Sequence, residues 1–193
     1  LQYSTLDIRG NQIAGILSEQ GVLHVEQTTI TVTGDTWAIG VQAHSTEATL
    51  QGASIVVSST ISANGVEVHG GALISNNNTL SVSARDGTLF QLRDVRAVHI
   101  VRNTCSLKSQ FVAIGIVSQG SPPRIEGSVF RYTGNARQSA VFSFNSDSAP
   151  GMISGNYFLG YSHLLLNGLQ RKQIFEFNKQ YGLPAVPNYV DKD

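Results

Sequence analysis

A 25-residue period constrains this chain more than any single motif does. Ile30, Ile55, Leu80, Cys105 and Phe130 stand 25 residues apart, each inside a short strand-like run: TITV, SIVV, TLSV, TCSL, SVFRY. A fixed interval of that size marks stacked supersecondary units, because one unit cannot bury its apolar face until the next covers it. Val25, Leu50, Ser75, Ile100 and Ile125 form a second ladder at the same spacing, and Ile74 beside Ser75 suggests that one coil slips by a residue. Two positions before each anchor of the first ladder stand Thr28, Ala53, Asn78, Asn103 and Ser128, and Asn156 holds the same place before Phe158. Asn tolerates the left-handed backbone of a sharp bend, and its amide can bond the equivalent Asn one coil away. These positions are expected to form a polar column at a corner.

A third strand is legible in WAIGV (37 to 41), NGVEV (64 to 68), GTLFQL (87 to 92), VAIGI (112 to 116), SAVFSF (139 to 144) and HLLL (163 to 166). Apolar residues alternate at period two, with Gly, Asn or Ser at the bends. The expected fold is all-β: a right-handed parallel β-helix of about seven coils of about 25 residues, three short strands per coil. Right-handedness follows from the general preference of parallel crossovers, and neighbouring coils should lie about 4.8 Å apart. The solenoid should occupy 1–167, and the aromatic, non-periodic segment 168–193 reads as a C-terminal cap or a linker. No N-terminal cap is visible, since LQYSTLDI already matches the spacing of later coils, so end-to-end self-association through an open strand edge is expected as one possibility.

Thirteen basic and 13 acidic residues balance, which removes a global field for nucleic acid or an anionic membrane. No apolar stretch approaches a membrane span. The start at Leu1, without Met or a signal-like segment, suggests a processed or excised piece. Cys105, the single cysteine, falls on the inward ladder and reads as a buried small hydrophobe. His24 and His99 hold equivalent positions three coils apart, too far to share a metal; neither a metal nor a cofactor is expected.

The phrases GDTWAIGVQA, SANGVEVHGGALIS and QFVAIGIVSQG, alternating with TTITVTG and ASIVVSS, resemble the repeating text of bacterial autotransporter passenger domains. GGAL (70 to 73) and FEFN (175 to 178) are similar to the signatures of polymorphic outer-membrane proteins, each occurring once. IVRNTCSL, RIEGSVF and MISGNYFLG resemble the wider pectin-lyase-like superfamily. The first resemblance implies a surface-exposed or secreted β-helix used in adhesion or virulence. The last implies an enzyme that cuts or epimerises acidic polysaccharides in a groove along one face, with clustered carboxylates. The chain has no DD pair, no NTD and no RIK tripeptide.

Stacking the coils yields the best candidate constellation. One residue past the anchors Val41, Val68, Leu92, Ile116, Phe144 and Leu166 comes a column of Gln42, His69, Arg93, Val117, Asn145 and Asn167. His69 and Arg93 should be neighbours, with Asp94 next along and Glu67 on the strand of His69. An acid–base pair beside a cation is what proton abstraction from a uronic acid carbon requires. Candidate catalytic residues are therefore Glu67, His69, Arg93 and Asp94. Candidate ligand contacts are Gln42, His44, Arg96, Asn145 and Asp147, with Trp37 and Tyr161 as exposed rings for sugar stacking. The leading expectation is a non-catalytic display domain whose partner is a host or cell-surface protein or polysaccharide. The alternative is a lyase- or epimerase-like enzyme or a polysaccharide-binding module.

Overall fold

The computed structural model describes residues 1–120, 123–144 and 152–165. Within them the chain is a parallel β-solenoid of about 6 turns without a helix, so no helix is long and apolar enough to cross a membrane. The first coil holds β1 (Thr5–Ser18) and β2 (Gly21–Glu26), and the second β3 (Thr29–His44) and β4 (Thr46–Gln51). β5 (Ser54–Ser59), β6 (Ser62–His69) and β7 (Ala72–Asn76) make the third. β8 (Thr79–Val95) and β9 (Ala97–Val101) make the fourth, followed by β10 (Thr104–Gly120) and β11 (Arg124–Glu126). The sixth has β12 (Val129–Tyr132), β13 (Gln138–Phe144) and β14 (Ile153–Ser154), and β15 (Tyr157–Leu159) and β16 (His163–Leu165) begin the next. The segment 168–193, expected as cap or linker, lies outside the described residues.

Three strands per coil are separate only in the third and sixth coils. In β1, β3, β8 and β10 the strand of the first ladder and the third strand run together over 14 to 17 residues. The backbone stays paired through that corner because each coil follows the one below it, and irregularities are absorbed as register shifts such as Gly10/Gln12 and Ser109/Val112. β2, β4, β7, β9, β11 and β14 stack as a separate six-stranded parallel sheet. The first ladder pairs throughout: Ile30 with Ile55, Ile55 with Leu80, Leu80 with Cys105, Cys105 with Phe130, and Phe130 with Phe158. Its members are buried, and burying each large one stabilises the fold by about 1.5–3 kcal/mol. Burial also drives the Cys105 thiol far above its ordinary pKa, so it is not a nucleophile.

Two details of the ladders differ from expectation. Ser75 has not slipped: it pairs with Leu50 and Ile100 and is fully buried, while Ile74 faces outward at 48 % exposure. The register holds because the Ser75 hydroxyl has partners inside, accepting from Asn78 Nδ2 at 3.0 Å and donating to Asn103 Oδ1 at 3.2 Å. The Asn column is buried at its corner as expected, but it does not carry the left-handed backbone. That conformation sits one position earlier, at Gln27, Gly52, Asn77, Arg102, Gly127 and Gly155, with φ between 45° and 63°.

The column residues instead bond each coil's backbone. Asn78 Oδ1 accepts from Ala53 N at 2.7 Å, Asn103 Oδ1 from Asn78 N at 2.9 Å, Ser128 Oγ from Asn103 N at 3.0 Å, and Asn156 Oδ1 from Ser128 N at 2.8 Å. Their amide NH2 groups donate to Leu50 O, Ser75 O and Ile125 O. Main-chain groups that the tight bend removes from the sheet are thereby satisfied without water.

Candidate functional site

The outward face of β3, β6, β8, β10 and β13 gathers the residues of the candidate constellation into two adjacent columns. One is Gln42, Glu67, Gln91, Val117 and Ser143; the other is His44, His69, Arg93 and Gln119. His69 and Arg93 are paired neighbours as expected, but Gln42 faces Glu67 and Val117 faces Gln91. The 25-residue interval puts Val41 opposite Val66, not Val68, so the anchors Val41 and Ile116 were taken two residues early.

Glu67 is the centre of this face. Ala63, Val66 and Val68 point into the core, so Asn64 and Glu67 leave the opposite side of β6 on either side of Gly65. Asn64 Nδ2 donates to Glu67 Oε2 at 2.8 Å. Asn64 Nδ2 also donates to Gln91 Oε1 at 3.0 Å, and Gln42 Nε2 to Glu67 Oε1 at 3.3 Å. His69 Nε2 lies 3.1 Å from Glu67 Oε1, close but poorly aligned for a hydrogen bond. These neighbours leave the whole Glu67 residue only 7 % exposed. Asn64 and Gln91 were missed from sequence. The available signal was the phase change at Gly65, which leaves polar residues three apart on one face.

His69 meets the His44 ring edge to face, with centroids 4.9 Å apart. Its pKa is lowered, first by burial, against which Glu67 pulls upward; Arg93 and His44 push further down and Asp94 slightly up. Burial therefore favours the neutral ring of His69 over the charged one. Arg93 is exposed, and Asp94 is exposed at a turn with φ 54°.

Other candidates lie apart from this face or differ from expectation. Arg96 pairs with Glu47 two coils away. Trp37 is half-buried, between Gln12 and Ser62. Tyr161 is not an exposed ring: at 2 % exposure it packs on Tyr132 with centroids 5.6 Å apart. The turn at Gly160 throws it inward, beneath Gly115, where an added Cβ would lie 3.4 Å from its hydroxyl. Asn145, Asp147 and Asn167 lie outside the described residues.

Among the described residues no group of three or more His, Cys, Asp or Glu is placed to hold a metal ion. His24 and His99 are separated by Thr49 and Ile74 in the same column. No protein-family model matches the chain, and neither the curated proteins nor the solved structures compared with it give a match.

Proposed function

We propose that this chain is a non-catalytic, surface-exposed or secreted β-helical segment, a stiff spacer that holds its corners out for adhesion or recognition. Its partner in this reading is a protein or polysaccharide of a host or cell surface. The observation that supports it best is the use made of the carboxylates. Glu67 is ringed by Gln42, Asn64 and His69, Glu47 pairs with Arg96, Asp86 with Arg85, and Glu126 with Arg124. Glu67 and Glu47 tie one coil to another, and Asp86 and Glu126 pair with a neighbour on their own strand, whereas glycoside hydrolysis needs two carboxyl groups converging on one bond. The passenger-like wording of the repeats is what points the reading toward a bacterial surface.

The competing reading is a lyase- or epimerase-like enzyme with Glu67 or His69 as base and Arg93 beside it. A base must reach the proton it removes, and Glu67 is covered by its own neighbours. Incubation with a panel of neutral and acidic polysaccharides separates the two. No new reducing ends and no unsaturated product are expected; product that disappears in His69→Ala or Arg93→Gln contradicts the proposal.

A further inference from the structure

The corner between β8's two halves and its equivalents in later coils is irregular where the rest of the solenoid repeats. Val82, Leu107 and Tyr132 are stacked partners, as are Asp86, Val112 and Gln138. Between them lie residues 83–85, 108–111 and 133–137, so the corner widens from three residues to four to five. The widening expels Phe111, which is 43 % exposed although Phe90, Phe130, Phe142 and Phe158 are all buried. Two guanidinium groups lie over its ring, Arg137 at 5.2 Å and Arg85 at 5.8 Å from the centroid. Beside it is a hollow of ≈ 310 Å³ lined by Ser59, Thr60, Ser83, Arg85, Lys108 and Gln110, among others.

The chemistry of this corner is one-sided. Corner segments 83–86, 108–112 and 133–137 carry Arg85, Lys108 and Arg137 against a single carboxylate, Asp86. Asp86 is held by Arg85 through Nε at 3.1 Å and an Nη at 2.9 Å. Asp35, on the same corner, lies two coils before Arg85 and one before Thr60, whose hydroxyl donates to the Asp35 main-chain oxygen. Lys108 and Arg137 have no carboxylate partner among the described residues.

We infer that this corner is a binding site for an anionic sugar unit, a pyranose bearing a carboxylate or a sulfate ester. The hydroxyl and amide groups of the hollow match a sugar's hydroxyls, Lys108 and Arg137 match its anion, and the part of Phe111 left exposed beside the two guanidinium groups adds an apolar contact. An anion alone would need no hollow lined with hydroxyl and amide groups, and a neutral sugar no pair of cations without carboxylate partners among the described residues. This deepens the recognition reading above and rests on it.

Calorimetric titration of the whole chain at low salt, with sulfated dextran oligosaccharide, trigalacturonate and maltotriose as probes, tests the assignment. At least one charged saccharide should bind and maltotriose should not; the tighter of the two identifies the anionic group. Phe111→Ala and Arg137→Gln should each weaken binding about tenfold, with unchanged circular dichroism and melting. Arg102→Gln, which removes the same charge at the Asn corner, should leave it unaltered. Absence of binding, equal binding of maltotriose, or an equal loss in Arg102→Gln overturns the site. Failure to bind leaves the non-catalytic reading standing, whereas cleavage of trigalacturonate removes that reading.

Discussion

The Asn corner and the Phe111 corner are turns of the same solenoid, yet one repeats from coil to coil and the other does not. At the first, one side-chain oxygen per coil accepts a backbone N–H of the coil before it, at 2.7 to 3.0 Å from Ala53 through Ser128. At the second, the number of residues changes from coil to coil and most side chains are exposed, with Ala84 and Ser109 alone of 83–85 and 108–111 buried. The difference follows from what each corner faces. A corner whose polar main chain is buried has a single satisfactory arrangement, so it repeats. The outer corner is tied from inside only in part, by Ser109 Oγ donating to Arg85 O and Val112 O and by the Tyr132 hydroxyl donating to Ser109 O, so the rest of its length and side chains can vary and a binding surface can be placed there.

Breaking the Asn corner should have the largest effect. Asn103→Ala strips Asn78 N and Ser75 O of their partner and orphans the Ser75 hydroxyl's acceptor. Unsatisfied buried groups cost about 1–3 kcal/mol each, so a loss of about 2–5 kcal/mol is expected in urea unfolding. Asn103→Asp keeps the oxygen acceptor but not the donating NH2, and should fall between wild type and Ala if the acceptor is the main tie. Equal loss in both variants would assign the effect to the NH2 group.

A smaller effect is expected from pH at the Glu67 face. Folded His69 binds its proton less tightly than an unfolded His, whose pKa is 6.5. Its contribution to stability is therefore complete above that value and is lost as pH falls below it toward the lowered folded pKa. Melting temperatures of wild type and His69→Gln should run parallel from pH 8 to 7, and wild type should lose ground between about pH 6.5 and 5. Parallel behaviour across the whole range would show that burial does not act on this ring.

The smallest effect on stability belongs to the outward corner. Phe111→Ala removes a ring that packs against exposed guanidinium groups, and should leave stability within about 0.5 kcal/mol of wild type. Were it to cost as much as a buried Phe, about 3–5 kcal/mol, the two corners would not differ as described.

Much of this contrast was legible in the sequence, and the remainder was hidden for physical reasons. Apolar ladders such as Ile30 to Phe130 are readable because burial demands the same side-chain class in every coil. The left-handed turn position is not, because Gln27 and Arg102 occupy it as readily as Gly52 and carry no signal of their own. Ser75 seemed a fault in its ladder because its partners, Asn78 and Asn103, are supplied by the adjacent corner rather than by its own strand. In the candidate site, His69 beside Arg93 followed from simple counting. Glu67 opposite Gln42 follows from the 25-residue interval as well, but a column anchored on Val68 in place of Val66 hides it. The place of Phe111 is not legible either, because its expulsion results from extra corner residues, which a fixed period hides.

Whether Glu67 ties coils together or acts on a substrate is the question on which this account turns, and its stability can answer it. A carboxylate that serves chemistry is held at some cost to the fold, and its removal commonly leaves a protein as stable or more so. One that accepts from Gln42 and Asn64 beside His69 strands those groups when it is removed. Urea unfolding of Glu67→Ala should show a loss of about 1–3 kcal/mol. A Glu67→Ala protein equal to or more stable than wild type would contradict the structural role and return this face to the list of active sites.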